Sequence, residues 1–143
     1  MGRSRGGLTS KLHALVGGHG LPHKLVLTRG HTNDCKPALG MIGAVRKGQN
    51  FLADRAYDTN KIREKVNARG ARITIPPKGL RKGALLPYDQ RAYEKRNIVE
   101  RFFNKVKQYR GLATRYDKLP EQFMGGITLF AIRLWARHYE SAA

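Results

Sequence analysis

Cysteine is nearly absent from the 143 residues, with Cys35 the one example. An intrachain disulfide framework and a cysteine-built zinc site are therefore both excluded, and a reducing cytoplasm is the compartment to expect. Acidic residues are also scarce: 10 Asp+Glu stand against 28 Lys+Arg, a formal charge of +18. No apolar run reaches the roughly 18 residues of a membrane span, and the opening MGRSRGGLTSKLH lacks the apolar middle of a signal peptide. The five histidines are scattered, and the pair in HGLPH falls in a turn without a neighbouring acid or cysteine, which argues against a zinc site. Nothing has the GxSxG form of a nucleophile elbow.

What is present is enough apolar residue, 41%, for one domain with a real core. Positive charge runs from Arg3 to Arg137 rather than sitting in a tail. Such a distribution favours a polyanionic partner, most simply nucleic acid, bound in a salt-sensitive way through counterion release.

Periodicity orders the elements. GLTSKLHALV alternates, with Leu8, Leu12, Ala14 and Val16 on one face and Lys11 and His13 on the other. With the turn GGHG and the run LPHKLVLT it predicts a hairpin from Leu8 to Thr28. Asn33 or Asp34 caps a short helix to about Val45, with Pro37 in its first turn. NFLADRAYD reads as a buried strand ending at Asp54, and TNKIREKVNARG as a helix capped by Thr59 or Asn60 and stopped at Gly70. ARITIPP reads as a strand halted by Pro76 and Pro77, and KGLRKGALLP as a basic loop. One long helix then surrounds Glu100, and a terminal helix, weakened by Gly125 and Gly126, carries Phe130, Leu134 and Trp135 as core. The order is a mixed α/β pattern.

Two carboxylates need explanation in so basic a chain. On one continuous helix at about 100° per residue, Tyr93, Arg96, Glu100 and Lys107 fall within roughly 60° of one another. Ile98, Val99, Phe102, Phe103, Val106 and Tyr109 form a separate apolar stripe that would dock the helix on a sheet. Glu100 either pairs with Arg96, Arg101 or Lys105 on the helix surface or serves a site. Asp54, at a strand end, either makes an Asx-type turn or lies where open α/β sheets place functional groups. Asp58 reads as a surface or helix-start acid and Asp34 as a cap. A hard divalent cation shared by Asp54 and Glu100 would turn a repulsive acid into a phosphate-binding site, since Mg²⁺ takes one or two carboxylates beside water and phosphate oxygens. Lys78, Arg81 and Lys82 of PPKGLRKG either grip DNA backbone or belong to a solvated basic loop.

NFLADRAYD, ITIPPK and YEKRNIVERFFNKVKQYRGLATRYDKL closely resemble the C-terminal catalytic half of bacterial insertion-sequence transposases of the DDE type, the superfamily of insertion sequences four and five. GRSRGGLTSKLHALV and LTRGHTNDCKPA extend the likeness over nearly the whole chain. Its most specific element is the spaced set Tyr93, Arg96, Glu100 and Lys107. The resemblance implies an RNase H-like α/β fold, a mixed sheet with flanking helices, and metal-dependent cleavage and strand transfer of DNA. It makes Asp54 the second catalytic aspartate and Glu100 the catalytic glutamate, with Mg²⁺, or Mn²⁺ in its place, as cofactor. Arg96 and Lys107 would contact phosphate, and Tyr93 would position DNA or the glutamate. The partners implied are double-stranded DNA at element ends and target, and the location is the cytoplasm, at the nucleoid.

No residue of this chain matches the family's first catalytic aspartate, whose strand precedes GRSRGGLT. The expectation is a single partial domain, residues 1–143, lacking that strand and any DNA-reading domain and catalytically incomplete alone. An upstream-frame polypeptide would supply the missing aspartate, and homo-oligomerisation fits the same picture. The alternative is a basic nucleic-acid-binding module without chemistry.

Overall fold

The structure is a computed structural model that describes residues 2–4, 7–79, 88–109 and 120–142. In chain order its elements are β1 (Gly2–Ser4), β2 (Gly7–Val16), β3 (Pro22–Arg29), α1 (Cys35–Met41), β4 (Asn50–Leu52), α2 (Asn60–Ala68), β5 (Arg72–Thr74), α3 (Gln90–Glu94), α4 (Asn97–Gln108) and α5 (Pro120–Ala142). Short 3-10 helices follow α1 at Ile42–Ala44 and β4 at Arg55–Tyr57. The class is mixed α/β, and the chain divides into two compact units, Met1–Gly30 with Ile98–Ala143, and His31–Asn97.

In the first unit β1, β2 and β3 form an antiparallel sheet in that order, with Leu12 opposite Leu27 and Ala14 opposite Leu25. The hairpin is the one the alternation predicts. Its turn closes through Gly17 N–H donating to Leu21 O at 2.9 Å. A Cβ at Gly17 would sit 2.4 Å from His23 Nε2, so a larger residue there forces the imidazole aside. Leu12, Ala14, Val16 and Leu25 present one face to a core of Phe102, Val106, Ile127 and Phe130. Alternation puts His13 on the opposite face, as expected, yet it is 5% exposed rather than solvated, and its Nε2 lies 2.8 Å from Thr28 Oγ1. A hydrogen-bonding neighbour on the adjacent strand makes that burial tolerable.

The apolar stripe of α4 docks on this sheet, with Phe102 and Val106 buried. α5 runs unbroken through Gly125 and Gly126, although each glycine weakens a helix by about 1 kcal/mol relative to alanine. Packing holds it: Ile127, Phe130 and Ala131 are buried, and Trp135 Nε1–H donates to Pro22 O at 3.0 Å. Phe130, Leu134 and Trp135 therefore belong to the core side, whereas Leu129, Ile132 and Tyr139 are exposed.

In the second unit β4 and β5 pair in parallel, Asn50 to Arg72 through Leu52 to Thr74, with α2 as their crossover. Thr59 Oγ1 caps α2 by accepting from Ile62 N–H, and the helix ends before Gly70, whose φ of +65° is the left-handed stop expected of glycine. Ile62 and Val66, four apart on one face, are fully buried, as is Ile42, with Ile75 nearly so. Pro76 and Pro77 have no N–H to continue a ladder, and β5 stops before them.

The continuous helix expected around Glu100 is instead two. α3 ends at Glu94, Lys95 N–H and Arg96 N–H bond back to Ala92 and Tyr93 carbonyls as turns, and α4 begins at Asn97. The run EKRN offers no apolar residue to hold a helical turn against a core, and Asn competes for its own backbone. The single helical phase that placed Tyr93 and Arg96 on the Glu100 face does not extend across this break.

Ile127→Ala should destabilise the fold by about 2–5 kcal/mol in a urea titration, because it empties a fully enclosed site. Leu129→Ala, on the solvent side of the same helix, should stay within roughly 0.5 kcal/mol.

Candidate functional site

Asp54 leaves the parallel strand pair two residues beyond β4, after Ala53 N–H donates to Thr74 O at 3.4 Å. Its backbone is extended, and its Oδ1 accepts Ala56 N–H at 2.8 Å, capping the following 3-10 helix. This is the Asx-type turn that its sequence context allowed, and it is compatible with a site. A carboxylate has about four lone-pair directions, and the cap takes one.

Around it lie groups that spacing could not reveal. The Tyr57 phenol is pushed up to about 12, first by burial and then by the negative charges of Asp34 and Asp54. The Cys35 thiol is raised too, chiefly by burial, with Asp34 and Asp54 adding and Lys78 opposing. Cys35 Sγ also donates to Ala56 O at 3.5 Å. Asp34 and Asp54 thus act on the same phenol and the same thiol, and Lys78 brings positive charge to the same place. Asp34 occupies the α1 cap position but makes no side-chain capping bond; Asn33 Oδ1 takes Cys35 N–H instead, at 2.9 Å.

Asp58 is a correction. Its side chain is wholly buried rather than a surface or helix-start acid, with Oδ1 receiving Arg63 Nε–H at 2.6 Å and Oδ2 receiving Lys78 N–H at 2.6 Å. Arg63 also donates to Ile75 O at 3.3 Å, and Arg55 Nε–H donates to Pro77 O at 2.8 Å. The stretch leading from β5 to Lys78 is therefore held by one carboxylate and two guanidinium groups. The backbone at Lys78 is fixed while its side chain is exposed. Arg81 and Lys82 lie outside the described residues.

Tyr93 and Arg96 come together at the end of the second unit. The Arg96 guanidinium carbon sits 5.6 Å from the Tyr93 ring centroid, a cation–π distance, and Tyr88 meets the same ring edge-on at 5.7 Å. Asp89 Oδ1 caps α3 by accepting Ala92 N–H at 3.0 Å.

In the first unit Glu100 is exposed on α4 and lines a shallow depression with Phe103, Asn104 and Lys107. Seven residues separate Glu100 from Lys107, so they stand roughly 20° apart around the helix. The burial of Phe102 and Val106 fixes which way that face points. Asp54 and Glu100 belong to different units. Among the described residues no three His, Cys, Asp or Glu side chains converge as metal ligands. Each of the two acids offers hard oxygen donors of the kind Mg²⁺ takes singly or in pairs, so the donor chemistry fits.

A model of the transposase DDE domain matches residues 2–135. The chain belongs to the DDE transposase domain family. A putative transposase for insertion sequence element IS6501 from Brucella ovis is 34% identical over 133 residues, which span 91% of this chain and 100% of that relative. No solved structure matches. Membership in the DDE transposase family supports a role in transposition, and no helix among the described residues is long and apolar enough to cross a membrane.

Two measurements test this geometry. In an alkaline absorbance titration, Tyr57→Phe should remove a tyrosinate transition near pH 12. Because the folded phenol holds its proton beyond the ordinary value near 10, its contribution to stability is fully present below about pH 10. That contribution is lost as pH rises towards 12. Arg63→Met, which strips the partner from a buried carboxylate, should cost about 3–5 kcal/mol in denaturant unfolding.

Proposed function

We propose that this chain is the part of an RNase H-like DDE catalytic domain that contributes Asp54 and Glu100 to cleavage and strand transfer at insertion-sequence ends. The observation that carries the reading is Asp54 at the exit of a parallel strand pair, pre-oriented by Ala56 N–H, in a chain of this family. A divalent cation, Mg²⁺ or Mn²⁺, would supply activation of the attacking water or 3′-hydroxyl and charge stabilisation at the leaving oxygen of an in-line displacement. Asp54 and Glu100 would hold it, each from an element fixed by packing.

The remaining side chains act on the substrate. Lys107, beside Glu100 on α4, and Arg96 supply charge to DNA phosphates, and Tyr93 holds the guanidinium of Arg96 over its ring. Lys78 extends from a backbone pinned by Asp58, so its ammonium meets phosphate from a fixed root. Arg81 and Lys82 continue the same basic stretch. The partners in this reading are double-stranded DNA at element ends and target, with a second copy of the chain. The place of action is the nucleoid.

Glu100→Gln and Asp54→Asn, each made in a cleavage-active preparation of the transposase, should lower Mg²⁺-dependent cleavage of element-end DNA roughly 100-fold or more, beyond what loss of a supporting group around a metal produces. DNA affinity measured without metal should be kept. An unchanged cleavage rate in either variant would count against the catalytic assignment of that residue.

A further inference from the structure

A second cleft in the first unit shares no residue with the Glu100 depression. It measures about 510 Å³ and lies between the end of α4, the β2–β3 turn and the C-terminal half of α5. Its apolar floor is Leu21, Phe130 and Leu134, and among the described residues no acidic side chain lines it. Lys105, Arg133 and Arg137, all exposed, stand around it. Arg133 and Arg137 are one turn apart on α5, so both guanidinium groups project on the same side. Tyr109 packs against Phe130 with ring centroids 5.2 Å apart and is 36% exposed. His19 and His138 close one end as a tilted ring pair 5.1 Å apart.

Three cations around an apolar floor repel one another, and among the described lining residues none is acidic to offset them. A ligand that answers both features carries negative charge on one part and a flat apolar surface on another. Duplex DNA presents phosphates but keeps its base faces stacked inside. A single strand presents both, and grooves for single strands combine a cationic track with aromatic surfaces on which bases stack.

We propose that this cleft binds a single-stranded DNA segment, with a base against the Tyr109–Phe130 aromatic pair and phosphates on Lys105, Arg133 and Arg137. The proposal rests on the reading of the chain as a DNA-processing protein but uses neither Asp54 nor Glu100. It gives the transposition reading a place for a strand separated from its complement.

The test is fluorescence anisotropy of a labelled single-stranded oligonucleotide with the 143-residue chain, in EDTA so that no cleavage contributes. Arg133→Glu with Arg137→Glu should weaken binding more than ten-fold. Arg133→Gln with Arg137→Gln should flatten the slope of log affinity against log salt by about 1.4, the value for two phosphate contacts to a single strand. Lys36→Glu with Lys61→Glu, two exposed positions in the second unit that do not line the cleft, reproduces the charge change and should weaken binding at most three-fold. Tyr109→Leu should weaken binding at least five-fold, and a blunt duplex of the same sequence should compete poorly. Circular dichroism establishes that each variant is folded. The proposal is overturned if the wild-type chain fails to bind, if the cleft and control reversals act alike, if Tyr109→Leu has no effect, or if the duplex competes as well as the single strand. This assay reads binding in EDTA and the cleavage assay reads Asp54 and Glu100, so loss of the catalytic reading and loss of this one give different results.

Discussion

The buried carboxylate of Asp58 is the contact around which the second unit is organised. Arg63 reaches it from α2, and the N–H of Lys78 reaches it from the segment after β5. The β4–α2–β5 crossover has only three residues in each strand, so its ladder contributes few bonds. An unpaired carboxylate in that interior would be strongly unfavourable, and the pairing is tolerable because both oxygens are engaged. Whether such an ion pair adds net stability over an apolar replacement is a separate matter. What it contributes is position, fixing where the chain goes after two prolines that can donate nothing.

Scarcity of acid shapes the rest. With 10 carboxylates against 28 cations, acids are too few to pair one-to-one with the bases, and three of the described aspartates satisfy backbone or buried groups. Asp54 and Asp89 cap helical turns, and Asp58 anchors an interior. The first unit relies instead on apolar burial, with Phe102, Val106, Ile127 and Phe130 joining two helices to one face of the hairpin. Arg29, Arg101, Lys105, Lys107, Arg133 and Arg137 lie exposed at its surface.

The hairpin, the capped α2 and its glycine stop were legible in sequence because alternation, an N-cap threonine and a C-terminal glycine are local signals. Asp54 and Glu100 were singled out by residue type and strand or helix position, and by resemblance. The break at Lys95–Arg96 was not legible, since the residues there are acceptable helix formers and only the absence of an apolar anchor separates them from their neighbours. The burial of Asp58 and the convergence of Asp34, Cys35 and Tyr57 on Asp54 depend on contacts across some twenty residues of chain, as with Asp58 and Lys78. No window of sequence holds both ends of such a contact. The face of His13 was legible and its burial was not, because alternation reports direction and says nothing about what covers each face.

The short bond from Ala56 N–H to Asp54 has one more implication. A flexible carboxylate must give up rotamer freedom when it is captured, and that loss subtracts from affinity. Here the chain's own backbone has already selected the conformer. Whatever approaches Asp54 meets a stationary oxygen pair, so discrimination between approaching groups rests on size and charge rather than on how well the protein adapts to them.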